Sequence, residues 1–324
     1  MAKYSRAWTR HLLLLTLVAL AVGCSPARAQ SVLTGEWTAS VVSESSEKSE
    51  ESEKPGKAWK TRKGDGLNLN LERRTERGGR NNMGQTYDFS ELQGLTREQA
   101  LAGGAVRFSL VREAGTIECE GSFQNGRGSG TFRFTSNPGF LSAMKGRGFD
   151  FEQAAWKTDG ARDIEDRLFA AATIGVTTVL ADDLLSADFG KLEVEDLFKA
   201  AIFKVDSKFM REMKASGFPG LGMEELVKAR IFKIDADFVK QATRLGFDKE
   251  SFESLVKMRI FKVTPEFIAE VRGEGLNNLS VEDLVKMRIF KIDAEFIRRA
   301  KAEGVPLEVE ELVHEKIGVR RRKF

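Results

Sequence analysis

The triplet Ile-Phe-Lys recurs with its Phe at positions 203, 232, 261 and 290, every 29 residues and without slippage. Gly217, Gly246, Gly275 and Gly304 keep the same spacing. The copies read IFKVDSKFM, IFKIDADFV, IFKVTPEFI and IFKIDAEFI. No other feature constrains the fold as much. Units of this length are too short to bury a core of their own, so they must stack on one another.

Each unit reads as two short helices joined by a turn. In VEDLVKMRIF the residues Val281, Leu284, Val285 and Ile289 follow helical spacing and predict a buried face. Glu282 and Lys286 lie four apart on the other face, as do Glu195/Lys199, Glu224/Lys228 and Glu253/Lys257, and are expected to pair within each helix. Asp206, Asp235, Thr264 and Asp293 stand where a second helix needs its N-cap, with Pro265 at the first helical position in one copy. Val205, Ile234, Val263 and Ile292 before the cap match Met210, Val239, Ile268 and Ile297 after it, a hydrophobic staple. The recurrent Gly suits a left-handed ending, in which Phe218, Phe247, Leu276 and Val305 fold back on Met213, Ala242, Val271 and Ala300. The Phe of the triplet, Phe261 for example, is read as core.

The pattern continues outward in weaker form. Leu168, Phe169 and Val176 precede Leu197, Phe198 and Val205 by one period, with Thr177 in the cap slot. PGFLSAMKGRGF, 138–149, matches a second helix alone, after which an insertion is expected within 150–160. Leu312 to Ile317 resembles a first helix, just before the RRRKF end. Degenerate outer copies suit units that cap a stack.

The first 29 residues read as an export signal. Lys3, Arg6 and Arg10 precede an apolar core from Leu12 to Val22 that is too short to remain as an anchor. Ala27-Arg28-Ala29 before Gln30 offers an A-x-A cleavage site, which is the leading reading. Ala21-Val22-Gly23-Cys24 offers a lipobox as the alternative, which would tie the chain to the envelope membrane through Cys24. The expected location is therefore periplasmic or secreted, or lipid-anchored through Cys24. Cleavage removes four basic residues and no acids, leaving 47 basic against 48 acidic residues. The whole-chain isoelectric point of about 8.7 thus makes no case for nucleic-acid binding.

Two cysteines and two histidines exclude several chemistries. Cys24 leaves with the signal or is lipidated, so no structural disulfide is expected and Cys119 reads as a buried, inert thiol. His314 is the single histidine after Gln30, which excludes two-His metal motifs and leaves no cofactor to expect.

From Ser31 to Asn137 the period changes to two. Leu33, Gly35, Trp37, Ala39 and Val41 alternate with polar residues, as do Leu67, Leu69 and Leu71, then Val106, Phe108 and Leu110, then Ile117, Cys119, Gly121 and Phe123, then Phe132 and Phe134. Such alternation predicts half-buried strands, six or so and mostly antiparallel. Glu113-Ala114 and Asn125-Gly126 read as hairpin turns, and Thr96 with Gln99 as the capping box of one short helix. The stretch over 43–63 is charged and poor in apolar residues, and is expected to be a disordered loop. Gly35-Glu36-Trp37 resembles the G-x-W signature of lipocalin-like barrels, which would make the module a ligand-holding barrel. The alternative is Trp37 as ordinary sheet core, and about 105 residues leave little room for eight strands.

Two sets of residues remain for binding. Arg230, Arg259 and Arg288 fall inside the apolar arc of the first helices and need carboxylate or carbonyl partners. The simpler reading has each arginine cap its own helix end. Lys204, Lys233, Lys262 and Lys291 follow the Phe in the turn and read as neither core nor cap, so they are the candidate contact edge.

The copy VTPEFIAEVRGEGL, 263–276, followed by LSVEDLVKMRIFKI, is similar to a repeat of exported bacterial proteins that also follows membrane metallopeptidases of the beta-lactam-sensor type. GTIECEGSFQNGRGSGTFRF resembles the small β module that precedes such repeats in stand-alone members. The peptidase motif is H-E-x-x-H, whereas here Lys316 and Ile317 follow His314-Glu315, so the resemblance implies no peptidase activity. The expected chain is α+β: a signal peptide at 1–29, a mostly antiparallel β domain at 30–137, and an α-solenoid of 29-residue helical hairpins at 138–324. Its expected role is a non-catalytic exported scaffold that binds another envelope protein or acidic surface through the repeats. The alternative is a small-ligand carrier using the β module.

Overall fold

The computed structural model describes residues 32–42, 66–74, 80–153, 164–187 and 190–319. The export signal with Cys24, the charged loop over 43–63 and the RRRKF end lie outside these residues, as does part of the expected insertion. The chain is α+β: an antiparallel seven-stranded sheet is followed by a long series of helices.

The strands are β1 (Val32–Val42), β2 (Gly66–Arg74), β3 (Arg80–Tyr87), β4 (Leu92–Gln93), β5 (Gly104–Arg112), β6 (Gly115–Gln124) and β7 (Arg127–Ser136), in the order β3-β2-β1-β7-β6-β5-β4. Pairing is antiparallel throughout, and Arg112 opposite Gly115 and Gln124 opposite Arg127 place the two expected hairpin turns. Asn125 and Gly126 both take positive φ, 50° and 75°, as a two-residue turn that follows the strand twist requires. Six or so strands are expected and seven form, of which the alternation marks five. RNNMGQTY has no apolar period and yet forms β3, because it is an edge strand whose partner β2 supplies the apolar row Leu67, Leu69 and Leu71.

Registration brings the alternating apolar rows of β1, β2, β5, β6 and β7 onto one face. Leu71, Trp37, Gly130 and Gly121 stand in one row across β2, β1, β7 and β6. The two glycines leave space that the indole of Trp37 fills: a Cβ built on Gly121 or on Gly130 would come within 2.8 Å of the ring. Trp37 therefore spans β7 and β6, donates from Nε1 to the Glu120 carbonyl at 3.2 Å, and meets Phe108 of β5 edge-on at 5.3 Å. It is sheet core, 1% exposed. Among the described residues, β3 and β4 are the two ends of the sheet order.

Helices α1 (Arg97–Ala102), α2 (Pro138–Lys145) and α3 (Ile164–Ile174) meet the sheet or the helices next to it. Thr96 and Gln99 form the expected capping box on α1. Phe169 of α3 stacks on Phe132 at 5.3 Å with the rings 2° from parallel. Beside it Tyr87 donates its hydroxyl to the Thr173 carbonyl at 2.7 Å, and Arg73 pairs with the buried Asp166. From the tip of the β5–β6 hairpin, Glu113 accepts the Thr178 N–H at 2.8 Å, at the start of α4 (Thr178–Leu185). Sheet and helices share one apolar core.

The remaining helices are α5 (Val194–Phe203), α6 (Ser207–Ala215), α7 (Met223–Ile231), α8 (Ala236–Arg244), α9 (Phe252–Ile260), α10 (Pro265–Gly273), α11 (Val281–Ile289), α12 (Ala294–Ala302) and α13 (Val309–Lys316). Asp206, Asp235, Thr264 and Asp293 accept the N–H of Phe209, Phe238, Phe267 and Phe296 as N-caps should. Gly217, Gly246, Gly275 and Gly304 all take positive φ, and the next N–H returns to Met213, Ala242, Val271 and Ala300. Neighbouring helices meet in the pairs α5–α7, α9–α11, α11–α13 and α10–α12. Among the described residues no single helix is long and apolar enough to cross a membrane.

Three expectations about the helix faces are corrected. Ile289 is 53% exposed, and Met287 is buried in its place. The core-facing arc of α11 is rotated toward the Leu284 side, because helices pack on it from α9 and α13. Phe203, Phe232, Phe261 and Phe290 are half-buried rather than core, since each sits at a helix end with solvent on one side. The expected intrahelical Glu–Lys pairs mostly reach further, as described below.

Candidate functional site

The four turn lysines are caps, contrary to the expectation that they are not. Lys204, Lys233, Lys262 and Lys291 take φ of 59°, 55°, 53° and 53°, the left-handed conformation that normally selects Gly. The N–H after each lysine returns to Ala200, Ala229, Met258 and Met287 at 2.8 to 3.1 Å, closing the end of α5, α7, α9 and α11. Gly does the same task at the ends of α6, α8, α10 and α12. A lysine there costs about 1 kcal/mol more than a glycine. That cost is met four times, and all four lysines are exposed.

Apolar side chains stand directly beside them. Ile260 and Ile289 are exposed, Ile202 and Ile231 are half-buried, and the four Phe are half-buried as well. The turn edge thus alternates apolar surface and positive charge. The sequence pattern places Ile289 and the Phe in the core and so misses this apolar part, although Ile289 lies off the centre of the arc formed by Val281, Leu284 and Val285.

Arg230, Arg259 and Arg288 do not cap their own helices. Arg259 donates from Nη2 to the carbonyl of Lys233 at 2.7 Å, and Arg288 from Nε to that of Phe261 at 3.1 Å. Arg259 and Arg288 therefore cap the turn one copy back. The stem crosses the preceding helix on the way, which lays the guanidinium carbon over Phe209, Phe238 and Phe267 at 3.7, 3.8 and 4.9 Å from the ring centres. Burial pushes the Arg230 and Arg259 pKa values down, opposed for Arg230 by Asp206 and for Arg259 by Asp235. These contacts tie the turn carrying Lys233 to α9 and the turn carrying Phe261 to α11.

A second ladder runs between the first helices. Lys199 keeps its intrahelical Glu195 at 3.5 Å and also reaches Glu224. Lys228 reaches Glu253 at 2.9 Å, Lys257 reaches Glu282 at 3.1 Å, and Lys286 reaches Glu310. The hydrogen bond to Glu253 holds the Lys228 ammonium above its ordinary pKa, and Lys257 holds the Glu282 carboxyl below its own. Pairs this exposed steer the register of neighbouring helices more than they stabilise them.

A cavity of about 420 Å³ lies between β3 and the end of α5, next to the first of these turns, with Phe203 and Lys204 in its lining. The polar face of the sheet carries a shallower depression beside Glu36, Glu118 and Glu120, where Arg107 pairs with Glu120 at 3.1 Å. Cys119 is buried, and burial pushes its thiol up to about 12, so it carries no thiolate near neutral pH. His314 lies on α13. Among the described residues no group of three or more His, Cys, Asp or Glu is placed to hold a metal.

Comparison of the chain with protein-family models, curated proteins and solved structures finds no match in any of the three.

Proposed function

We propose that α3 to α13 form an α-solenoid of 29-residue hairpins, and that the chain is an exported, non-catalytic scaffold. Its partner is an envelope protein with an acidic surface, bound along the edge of Ile-Phe-Lys turns. One observation carries this reading: lysine occupies a left-handed cap four times over, where glycine would be more stable. A side chain kept against a conformational cost is kept for what it touches. Packed helices stand 8–10 Å apart, so four such turns make a row of about 30 Å. Charge on such a row acts mainly on association rate and weakens with salt, while the adjoining Ile and Phe supply the apolar contact that a stable complex needs.

The test combines two triple variants with site-specific cross-linking. Lys233, Lys262 and Lys291 are changed together to Gly, which removes the side chains without straining the turns. Lys240, Lys249 and Lys301 are changed to Gln as a charge-matched control. A photo-reactive residue at the exposed position 260, beside the Lys262 turn, is expected to give a discrete adduct in envelope fractions. The adduct should vanish at high salt and in the turn variant, and persist in the control. Equal adducts from position 260 and position 240, or loss in the control alone, would remove the turn edge from consideration.

A further inference from the structure

The left-handed cap of the four turn lysines has a counterpart on either side of them. Gly175 follows α3 at φ 86°, one period before Lys204, and the next N–H returns to the Ala171 carbonyl. Gly318 follows α13 at φ 73°, and the Val319 N–H returns to the His314 carbonyl. A Cβ built on either glycine meets nothing within 4 Å among the described residues. The outer caps therefore share the backbone of the inner ones and have room for a side chain, yet neither carries lysine. The apolar neighbour stops at the same places. Ile202, Ile231, Ile260 and Ile289 stand two residues before the four lysines, whereas the buried Thr173 holds that position before Gly175 and Lys316 holds it before Gly318.

Each inner turn thus offers one positive and one apolar group, and a complementary segment must bring an acid and an apolar residue to every turn. Packed helices set successive turns about 10 Å apart. A β-strand returns a residue to the same face about every 6.7 Å and falls out of step with that row. A polyproline helix returns one about every 9.3 Å, in step, but with a single residue per turn on that face. An α-helix returns its face after seven residues, about every 10.5 Å, and sets residues i and i+4 of each heptad side by side on it. Of the three, only the α-helix delivers both groups at the pitch of the row.

We propose that the partner lays one amphipathic α-helix along the turn edge, with an acid and an apolar residue in each of four successive heptads, and that its footprint stops short of Gly175 and Gly318. Such a helix needs about 22 residues to meet all four turns. Its acids face Lys204, Lys233, Lys262 and Lys291, and its apolar residues cover the isoleucines beside them. The inference rests on the turn-edge reading. It requires that the lysines be exposed, which all four are, and not that they lack interactions within the chain, since Lys204 and Lys262 have such interactions.

The probe is a synthetic peptide of about 22 residues with Glu at every seventh position and Leu four residues after each, in a helix-forming host of alanine and glutamine. Titrated against the full chain at low salt, it should bind about tenfold tighter than a peptide of the same composition with Glu at every fifth position, which scatters the acids around the helix. The triple Lys233, Lys262 and Lys291 to Gly variant should lose that preference. A photo-reactive leucine placed in each heptad in turn should label 202–204, 231–233, 260–262 and 289–291 in consecutive order, and leave 173–176 and 316–319 unlabelled. Equal labelling of the outer caps would overturn the proposal, as would labelling of the turns in no order. A polyproline peptide with Glu at every third position that binds more tightly, and is lost in the triple variant, would overturn the helix while leaving the turn edge standing. Absence of any preference for the seven-residue spacing, or a preference that survives in the triple variant, would also overturn it, and the envelope adduct from position 260 decides the turn edge separately.

Discussion

The guanidinium of Arg259 stands 3.8 Å from the centre of the Phe238 ring and donates to the Lys233 carbonyl at 2.7 Å. One side chain of α9 thereby ties together the helix before it and the turn before that. Stacking needs a flat cation and the hydrogen bond needs its fork, so lysine cannot replace it. Arg259→Ala should lower stability by about 1–2 kcal/mol, from the cation–π contact and the capping bond together. Arg259→Lys should recover less than half of that. Urea denaturation of the two variants checks the claim, and a fully rescued lysine variant would contradict it.

Lys233 sits at φ 55° with its side chain in solvent. Lys233→Gly should raise stability by about 1 kcal/mol through relief of the left-handed strain. Lys233→Ala removes the same side chain but keeps the Cβ, and should leave stability nearly unchanged. Thermal melts that rank the three proteins otherwise would mean that the side chain, not the backbone, sets the energy of the turn.

Capping was the most legible part of this chain. Asp206, Asp235, Thr264 and Asp293 announce their helices because a side-chain acceptor, a staple and a closing glycine all agree within a few residues. Lys204 and its equivalents hid their role, since a left-handed cap without glycine leaves no mark in composition. The Arg259 contact was illegible for a different reason: its partners lie 21 and 26 residues back, and only the stacking of helices brings them near. β3 was missed because an edge strand with one half-buried methionine shows no apolar period, and the cavity beside it needs α5 to exist at all.

Phe261 and Leu284 separate the two kinds of apolar residue in the copies. Phe261 is half-buried at a helix end, whereas Leu284 is fully buried. Phe261→Ala should cost about 1–2 kcal/mol, because only part of its area leaves water. Leu284→Ala should cost about 2–5 kcal/mol, the lost transfer energy plus a cavity. Equal losses in chemical denaturation would place Phe261 in the core after all.

Cys119 makes a pH prediction with a definite sign. Burial lifts its pKa from 9.0 to about 12 in the folded chain. Below pH 9 both states keep the proton and the thiol contributes nothing. Above it the unfolded thiol ionises while the folded one does not, so stability falls as pH rises from 9 toward 12, by up to about 1.4 kcal/mol per unit. Cys119→Ala should flatten that slope. In the native protein, thiol reagents near pH 8 should label Cys119 only at the rate of opening.

Gly130 and Trp37 carry the sharpest steric prediction. They face each other across β1 and β7, and Gly121 stands beside Gly130 on β6. A Cβ on Gly130 would fall 2.0 Å from the Glu120 carbonyl oxygen and 2.8 Å from the Trp37 Nε1. Neither neighbour can yield: the carbonyl accepts the indole N–H, and the indole is wedged against Phe108 and Phe123. Gly130→Ala should therefore destabilise by about 3 kcal/mol, at the upper end for overpacking a core. The double variant Gly130→Ala with Trp37→Leu shrinks the ring that occupies this space, and should lose less than the two single losses added. Strict additivity of the two in urea melts would mean that the alanine strains the β6–β7 pairing alone and that the indole does not depend on the glycine row.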